Sequence, residues 1–240
     1  MLHAFVRPQH QQHFRIRGKE ILRIEALSDA VFAFAVSLLV VALEVPQNFH
    51  ELKVILRGAL PFFATVSLLF LFWYQQYTFF RHYALNDLPT ILLNMAYLAL
   101  ILFYLYPLKF LFSLLLGSWL GVDLFPKATE SGVAVLMPEE FPDLVLLFSI
   151  GYSLIWLLLF LMHHRAVRQA VALQLSPYEL LYTKSERRGA YWNVGVGLAA
   201  ILLVLLGFAY VSGICYLCIP LLLWLNSRRL RKDLRRMNIV

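Results

Sequence analysis

An arginine, a serine and an aspartate open an otherwise apolar helix. Arg23, Ser28 and Asp29 stand ahead of the run Ala30-Val31-Phe32-Ala33-Phe34-Ala35-Val36-Ser37-Leu38-Leu39-Val40-Val41. A charged side chain at a bilayer centre costs about 2.5–3.5 kcal/mol on insertion scales. Asp29 already stands about one turn inside such a span, so its carboxylate needs a donor on a neighbouring helix or subunit. At about 100° per residue, Phe34, Leu38 and Val41 fall within about 60° of one another, flanked by Ser37 and Ala30, while Asp29 points about 140° from Phe34. One face is thus an apolar stripe with a single hydroxyl, and the carboxylate aims elsewhere. Donors come from two other apolar segments. Trp73 and Gln76 lie near the inner end of the second, and Asn94 near the inner start of the third. Alternating helices bring these ends to one depth. A network of Arg23, Ser28, Asp29, Trp73, Gln76 and Asn94 is therefore expected at the base of the first helix, in preference to a plain interfacial belt.

Other candidate chemistry finds less support. Cys215 and Cys218 form a C-x-x-C pair, but among Ile, Tyr and Leu they read as packing. His163 and His164 point about 100° apart on a helix, which does not suit one metal ion, and interfacial anchoring is the better reading. No phosphate loop, catalytic triad, carboxylate pair, carbonyl filter loop or Arg-rich voltage sensor is present. A catalytic role or a cofactor is not expected.

The elements that must position these residues are membrane helices. Hydrophobic residues make up 61% of the 240-residue chain and charged residues 15%. Six apolar stretches, near 25–45, 55–80, 90–116, 143–164, 190–211 and 213–227, approach or exceed the roughly 20 residues a span requires. The last is the weakest, being interrupted by Pro220. Of the 21 Lys and Arg residues, all but Lys53, Arg57, Lys109 and Lys127 fall in segments that share one side if the N-terminus is inside. That bias predicts six spans with both termini cytoplasmic. The net charge of +7 then needs no nucleic-acid partner, and the basic tail at about 227–240 is expected at anionic lipid headgroups. Residues 1–20 are polar and lack a signal-peptide core, so the first span is expected to serve as the targeting signal. The chain reads as one domain, 1–240. Pro107 should kink the third span. Ser176-Pro177-Tyr178-Glu179 should start a short amphipathic inner helix, and the outer connection at about 117–142 could form a lid.

The stretch from Arg23 to Pro46 resembles the transmembrane protein 175 family of potassium channels. The family hallmark Arg-x-x-x-Phe-Ser-Asp reads here Arg23-x-x-x-Leu27-Ser28-Asp29, followed by Val-Phe-Ala and a Leu-Leu-Val run ending in Val45-Pro46. Phe72-Trp73 and Leu93-Asn94 are similar to its second and third helices. The resemblance is strong over the first half and general over the last three spans.

It implies a homotetramer whose first helices line a central pore, narrowed by apolar side chains rather than carbonyls. The lining positions would be Phe34, Leu38 and Val41, with Ser37 as the pore-facing hydroxyl. Arg23, Ser28 and Asp29 would tie the pore helix to its neighbours. The permeant ion would be K+, and the single-repeat length points to a bacterial, multi-pass protein of the inner (plasma) membrane. Two departures stand out: Leu27 replaces the motif Phe, and Phe34 stands where Ile or Leu is usual, a bulkier ring that should favour a closed path. The reading is a potassium-permeable leak channel. Its alternatives are a proton or non-selective cation pathway on the same scaffold, and a non-conducting membrane scaffold in which the stripe is a packing seam.

Overall fold

The computed structural model describes residues 14–41, 45–121, 124–125 and 134–237. Every regular element among them is helical. In chain order these are α1 (Arg23–Val41), α2 (Phe49–Arg57), α3 (Ala59–Tyr83), α4 (Leu88–Leu120), α5 (Phe141–Arg168), α6 (Pro177–Leu205) and α7 (Ala209–Ser212). A 3-10 segment (Gly213–Cys218) then leads into α8 (Ile219–Arg236). Six units are long and apolar enough to cross a membrane: α1, α3, α4, α5, α6 and the composite Ala209–Arg236. The protein is an all-α membrane protein.

Along α1 the buried residues Ile24, Ser28, Phe32, Ala35 and Leu39 recur every three or four positions. That spacing gives one inward face, which packs on α3 and α4. At the opposite edge α8 leans on α6. Between these edges α5 and α6 form the closest pair. A small residue permits it: a Cβ added at Gly197 would collide with Ser153, while one at Gly151 would collide with the Tyr104 ring of α4. Buried tyrosines find acceptors here, as a medium without water demands. Tyr97 donates to the Phe72 carbonyl at 3.0 Å, Tyr104 to the Phe148 carbonyl at 2.7 Å, and Tyr152 to Asn193 Oδ1.

One end of the bundle collects the start of α1, the end of α3, the start of α4, the end of α5, the start of α6 and the end of α8. Arg17 reaches Glu179 there, Arg81 reaches the Gly18 carbonyl, Arg165 pairs with Asp87, and Arg188 reaches Asn226. We call this the basic end.

Several elements differ from the sequence expectation. α2 was not anticipated. It is an amphipathic helix of about two and a half turns, with Phe49 69% exposed and Lys53 Nζ 4.8 Å from the Phe49 ring centre. Such a helix suits a membrane surface. The capping box at Ser176 forms, with Ser176 Oγ accepting the Glu179 N–H at 3.2 Å and Glu179 Oε2 accepting the Ser176 N–H at 2.8 Å. The helix it starts is not short, however. It runs without interruption to Leu205, merging the expected inner helix with the fifth span, and stops where Gly207 adopts φ +87°. Pro107 lies inside α4, a helix of 33 residues and hence about 50 Å. Arg228 to Arg236 are helical, with Arg228 stacked 3.5 Å from the Trp224 ring centre. Residues 122–123 and 126–133 of the expected outer lid, and residues 1–13 of the polar N-terminal segment, lie outside the described residues.

Candidate functional site

Two faces of α1 carry different chemistry. Its outward face presents Ala30, Phe34, Ser37 and Val41, all exposed, with Phe34 57% and Val41 78% accessible. Leu38 sits on the flank, half-buried against the core. The exposed line is therefore centred on 30, 34, 37 and 41, rotated slightly from the 34, 38 and 41 stripe. Ser37 Oγ donates to the Ala33 carbonyl at 3.0 Å. Its proton is thus spent inside the helix, and its lone pairs are what the face offers, an arrangement suited to a cation.

The inward face is polar at its base and fully bonded. Gln76 Nε2 donates to Asn94 Oδ1 at 3.0 Å, Asn94 Nδ2 donates to Ser28 Oγ at 3.0 Å, and Ser28 Oγ donates to the Ile24 carbonyl at 2.7 Å. This chain crosses from α3 through α4 into α1, and Gln76, Asn94 and Ser28 are buried. Beside it, Trp73 Nε1 donates to Asp29 Oδ1 at 2.7 Å, and the indole stacks on Tyr77 at 5.3 Å. So five of the six network residues meet within one chain, as a triad and a neighbouring pair. Arg23 does not join them: it is exposed and bonds no described residue of its own chain.

Replacing Asn94 with Leu should remove the middle of the triad. It leaves the Gln76 amide without its acceptor, at about 1–3 kcal/mol for each group left unpaired. A lower melting temperature in detergent is expected, with partial recovery in Gln76→Leu/Asn94→Leu. An unchanged melting curve for Asn94→Leu would mean that the bonds carry no net stability.

Two further features escaped the sequence reading. Glu25 is buried and caps α1, accepting the Leu22 N–H at 2.8 Å. Its signal was half a capping box, lacking the Ser or Thr partner. The second is a clasp made by residues 14–18. Arg17 pairs with Glu179 through both terminal nitrogens, at 2.8 and 3.0 Å, and donates Nε to the Leu173 carbonyl at 3.0 Å. The Arg15 N–H reaches the same carboxylate at 2.8 Å. Phe14 is buried and stacks on His82 at 4.0 Å, while the Arg17 and Gly18 N–H groups donate to the Arg81 carbonyl. The segment leading into α1 is thereby fastened to α3 and α6.

His163 is not an interfacial anchor. It is buried, with Nδ1 2.9 Å from the Leu159 carbonyl and its ring edge-on to Phe79 at 5.3 Å. His164 faces another way, toward Arg187. Among the described residues no group of three His, Cys, Asp or Glu side chains could hold a metal ion, and Cys215 and Cys218 are free thiols. Cys218 is exposed rather than packed.

Residues 23–104, which span this site, match the model of a family described as the endosomal/lysosomal potassium channel TMEM175. A potassium channel of Marivirga tractuosa is 34% identical over 234 residues, covering 92% of this chain and 95% of that protein. The crystal structure of a threonine-to-alanine variant of the potassium channel MtTMEM175, in complex with a nanobody–maltose-binding-protein fusion, superposes with a TM-score of 0.80. It is 33% identical and the match covers 95% of this chain and 99% of that one. A lysosomal potassium-selective channel TMEM175 homologue from Chamaesiphon minutus gives a TM-score of 0.52 at 21% identity, over 85% of this chain and 96% of its own. That second likeness is one of fold.

Proposed function

Because this chain belongs to the TMEM175 family, we propose that it forms a potassium-permeable leak channel in which α1 of each of four subunits lines a central pore. One observation carries this reading. α1 sits at the edge of its own bundle with Ala30, Phe34, Ser37 and Val41 uncovered, while Ser28 takes a buried hydrogen bond from Asn94 of α4 and Asp29 accepts the indole N–H of Trp73 of α3. A helix so placed is braced on one side and available on the other. Four copies would close the apolar line into a constriction that gates by excluding water. Phe34 would be its narrowest ring, Leu38 and Val41 would extend it, and Ser37 would offer oxygen lone pairs to a passing K+. Ser28, Asn94 and Gln76, with Asp29 and Trp73, would fix the angle at which α1 presents that line, and exposed Arg23 would meet a neighbouring subunit.

The excess of Lys and Arg at the basic end favours placing both termini in the cytoplasm of a bacterial inner membrane, with the α8 cations at the headgroups. No step calls for a cofactor or nucleic acid.

The test is flux from liposomes containing the purified protein, under a potassium gradient and then a matched sodium gradient. Faster potassium flux from a tetrameric protein is the expected result. Equal rates for both ions would turn the reading to a non-selective path, and flux that follows pH alone to a proton path. A well-folded tetramer without flux would favour the scaffold.

A further inference from the structure

A pocket of about 490 Å³ opens between α5 and α6 at the basic end, lined by Phe160, His164, Lys184, Arg187, Arg188 and Tyr191. It lies away from α1 and takes no part in the ion path. Its lining holds cations and no carboxylate, with Asp233 lying near Arg188 outside it. Lys184 is exposed, and neither Lys184, Arg187 nor Arg188 pairs with a carboxylate among the described residues. Glu186, the nearest acidic residue in sequence, turns instead into a separate cavity lined by His163 and Asn193. Arg188 is held by Asn226, to which its Nε donates. Among the described residues Arg187 Nη1 meets the ring of His164, at 3.5 Å. Lys184 and Arg187 are three residues apart on one helix, where like charges repel. With Glu186 turned to the other cavity, the pair gains from a bound anion.

What lies beside the cations identifies the anion. The Phe160 and Tyr191 rings, 6.2 Å apart, form the pocket's boundary toward the apolar part of the bundle. Beyond them the same face of α6 continues as Gly195, Leu198 and Leu202, the two leucines 55% and 58% exposed. No atom lies within 4 Å of a Cβ added at Gly195, so the face is an open groove at that level. Charge at the end, aromatic rings at the boundary and an apolar groove beneath follow the cross-section of a phospholipid. A soluble anion would use only the first of these. Basic pockets between spans at the cytoplasmic side are suited to lipid headgroups.

We propose that this pocket binds an anionic phospholipid, its phosphate against Lys184 and Arg187 and an acyl chain along Gly195, Leu198 and Leu202. The inference rests on the basic end facing an anionic leaflet but not on potassium conduction, so failure of either leaves the other standing. A lipid with two phosphates, cardiolipin, should bind best because it can engage both cations at once.

The experiment is native mass spectrometry of the detergent-purified protein titrated with cardiolipin, phosphatidylglycerol and phosphatidylethanolamine, with inorganic phosphate as a competing soluble probe. Cardiolipin retention is expected to exceed that of phosphatidylethanolamine. Lys184→Gln/Arg187→Gln should weaken it by about tenfold or more, and Lys184→Arg/Arg187→Lys should keep it. The tail variant Arg235→Gln/Arg236→Gln should also keep it. Undiminished binding by the neutral double variant, an equal loss in the tail variant, or displacement by millimolar phosphate would each overturn the proposal. Each single substitution should show a share of the loss, so the outcome does not depend on the double variant folding.

Discussion

Phe34→Ala is expected to raise potassium flux by about tenfold or more, equivalent to about 1.4 kcal/mol off the barrier. Phe34 is the largest side chain on the uncovered face of α1 and is more than half exposed. In a four-fold arrangement its substitution removes four rings from one level of the path. An apolar constriction impedes ions by refusing water, so widening it should rehydrate the path. Phe34→Asn separates polarity from width, since it admits water with less change in bulk than alanine. Both should conduct faster than the parent, and Phe34→Leu should fall between. Flux unchanged in all three would move the constriction to Leu38 or Val41. The measurement is the initial rate of potassium release from liposomes at equal protein content.

Arg17→Met should be the most destabilising single substitution at the basic end, at about 3 kcal/mol. The Glu179 side chain is 2% accessible, and without the guanidinium its charge would rest on the N–H groups of Arg15 and Ser176 alone. Removing one partner of a buried pair costs far more than the pair contributes, because the remaining charge stays desolvated. Glu179→Gln should cost less, since Arg17 keeps the Leu173 and Gln174 carbonyls. Combining Arg17→Met with Glu179→Gln should recover part of the loss, and the double-mutant cycle isolates the coupling. Thermal unfolding in detergent reads all three. A melting temperature unchanged in Arg17→Met would mean that the clasp is dispensable to the fold.

Much of this molecule was legible because a bilayer imposes a length. Five long apolar runs read as spans by length, the charge bias favoured a sixth, and Arg23 to Asp29 marked the first as unusual. The buried partners of Ser28 could be guessed because few amides occur in the spans, leaving Gln76 and Asn94 as candidates. Helical arithmetic gave the angles between Phe34, Ser37, Leu38 and Val41 but not their zero point. The face that remains uncovered is decided by α3 and α4, and that placed Leu38 at the flank. The same blindness misassigned His163, since the sequence does not say which side of α5 meets Phe79. Arg17 and Glu179 are 162 residues apart, and no local pattern joins them. α2 went unread because nine residues carry too little periodicity beside the long run that follows.

α6 is one unbroken rod of 29 residues, about 43 Å long. Its first turn holds the clasp that precedes α1, its second and third turns carry the cations of the lipid pocket, and its remainder forms the tight seam with α5. The rod is uninterrupted from its headgroup-level cations to Glu179, which Arg17 ties to the segment that enters α1. Headgroup-level cations and the clasp that fastens the segment entering α1 thus share one continuous element.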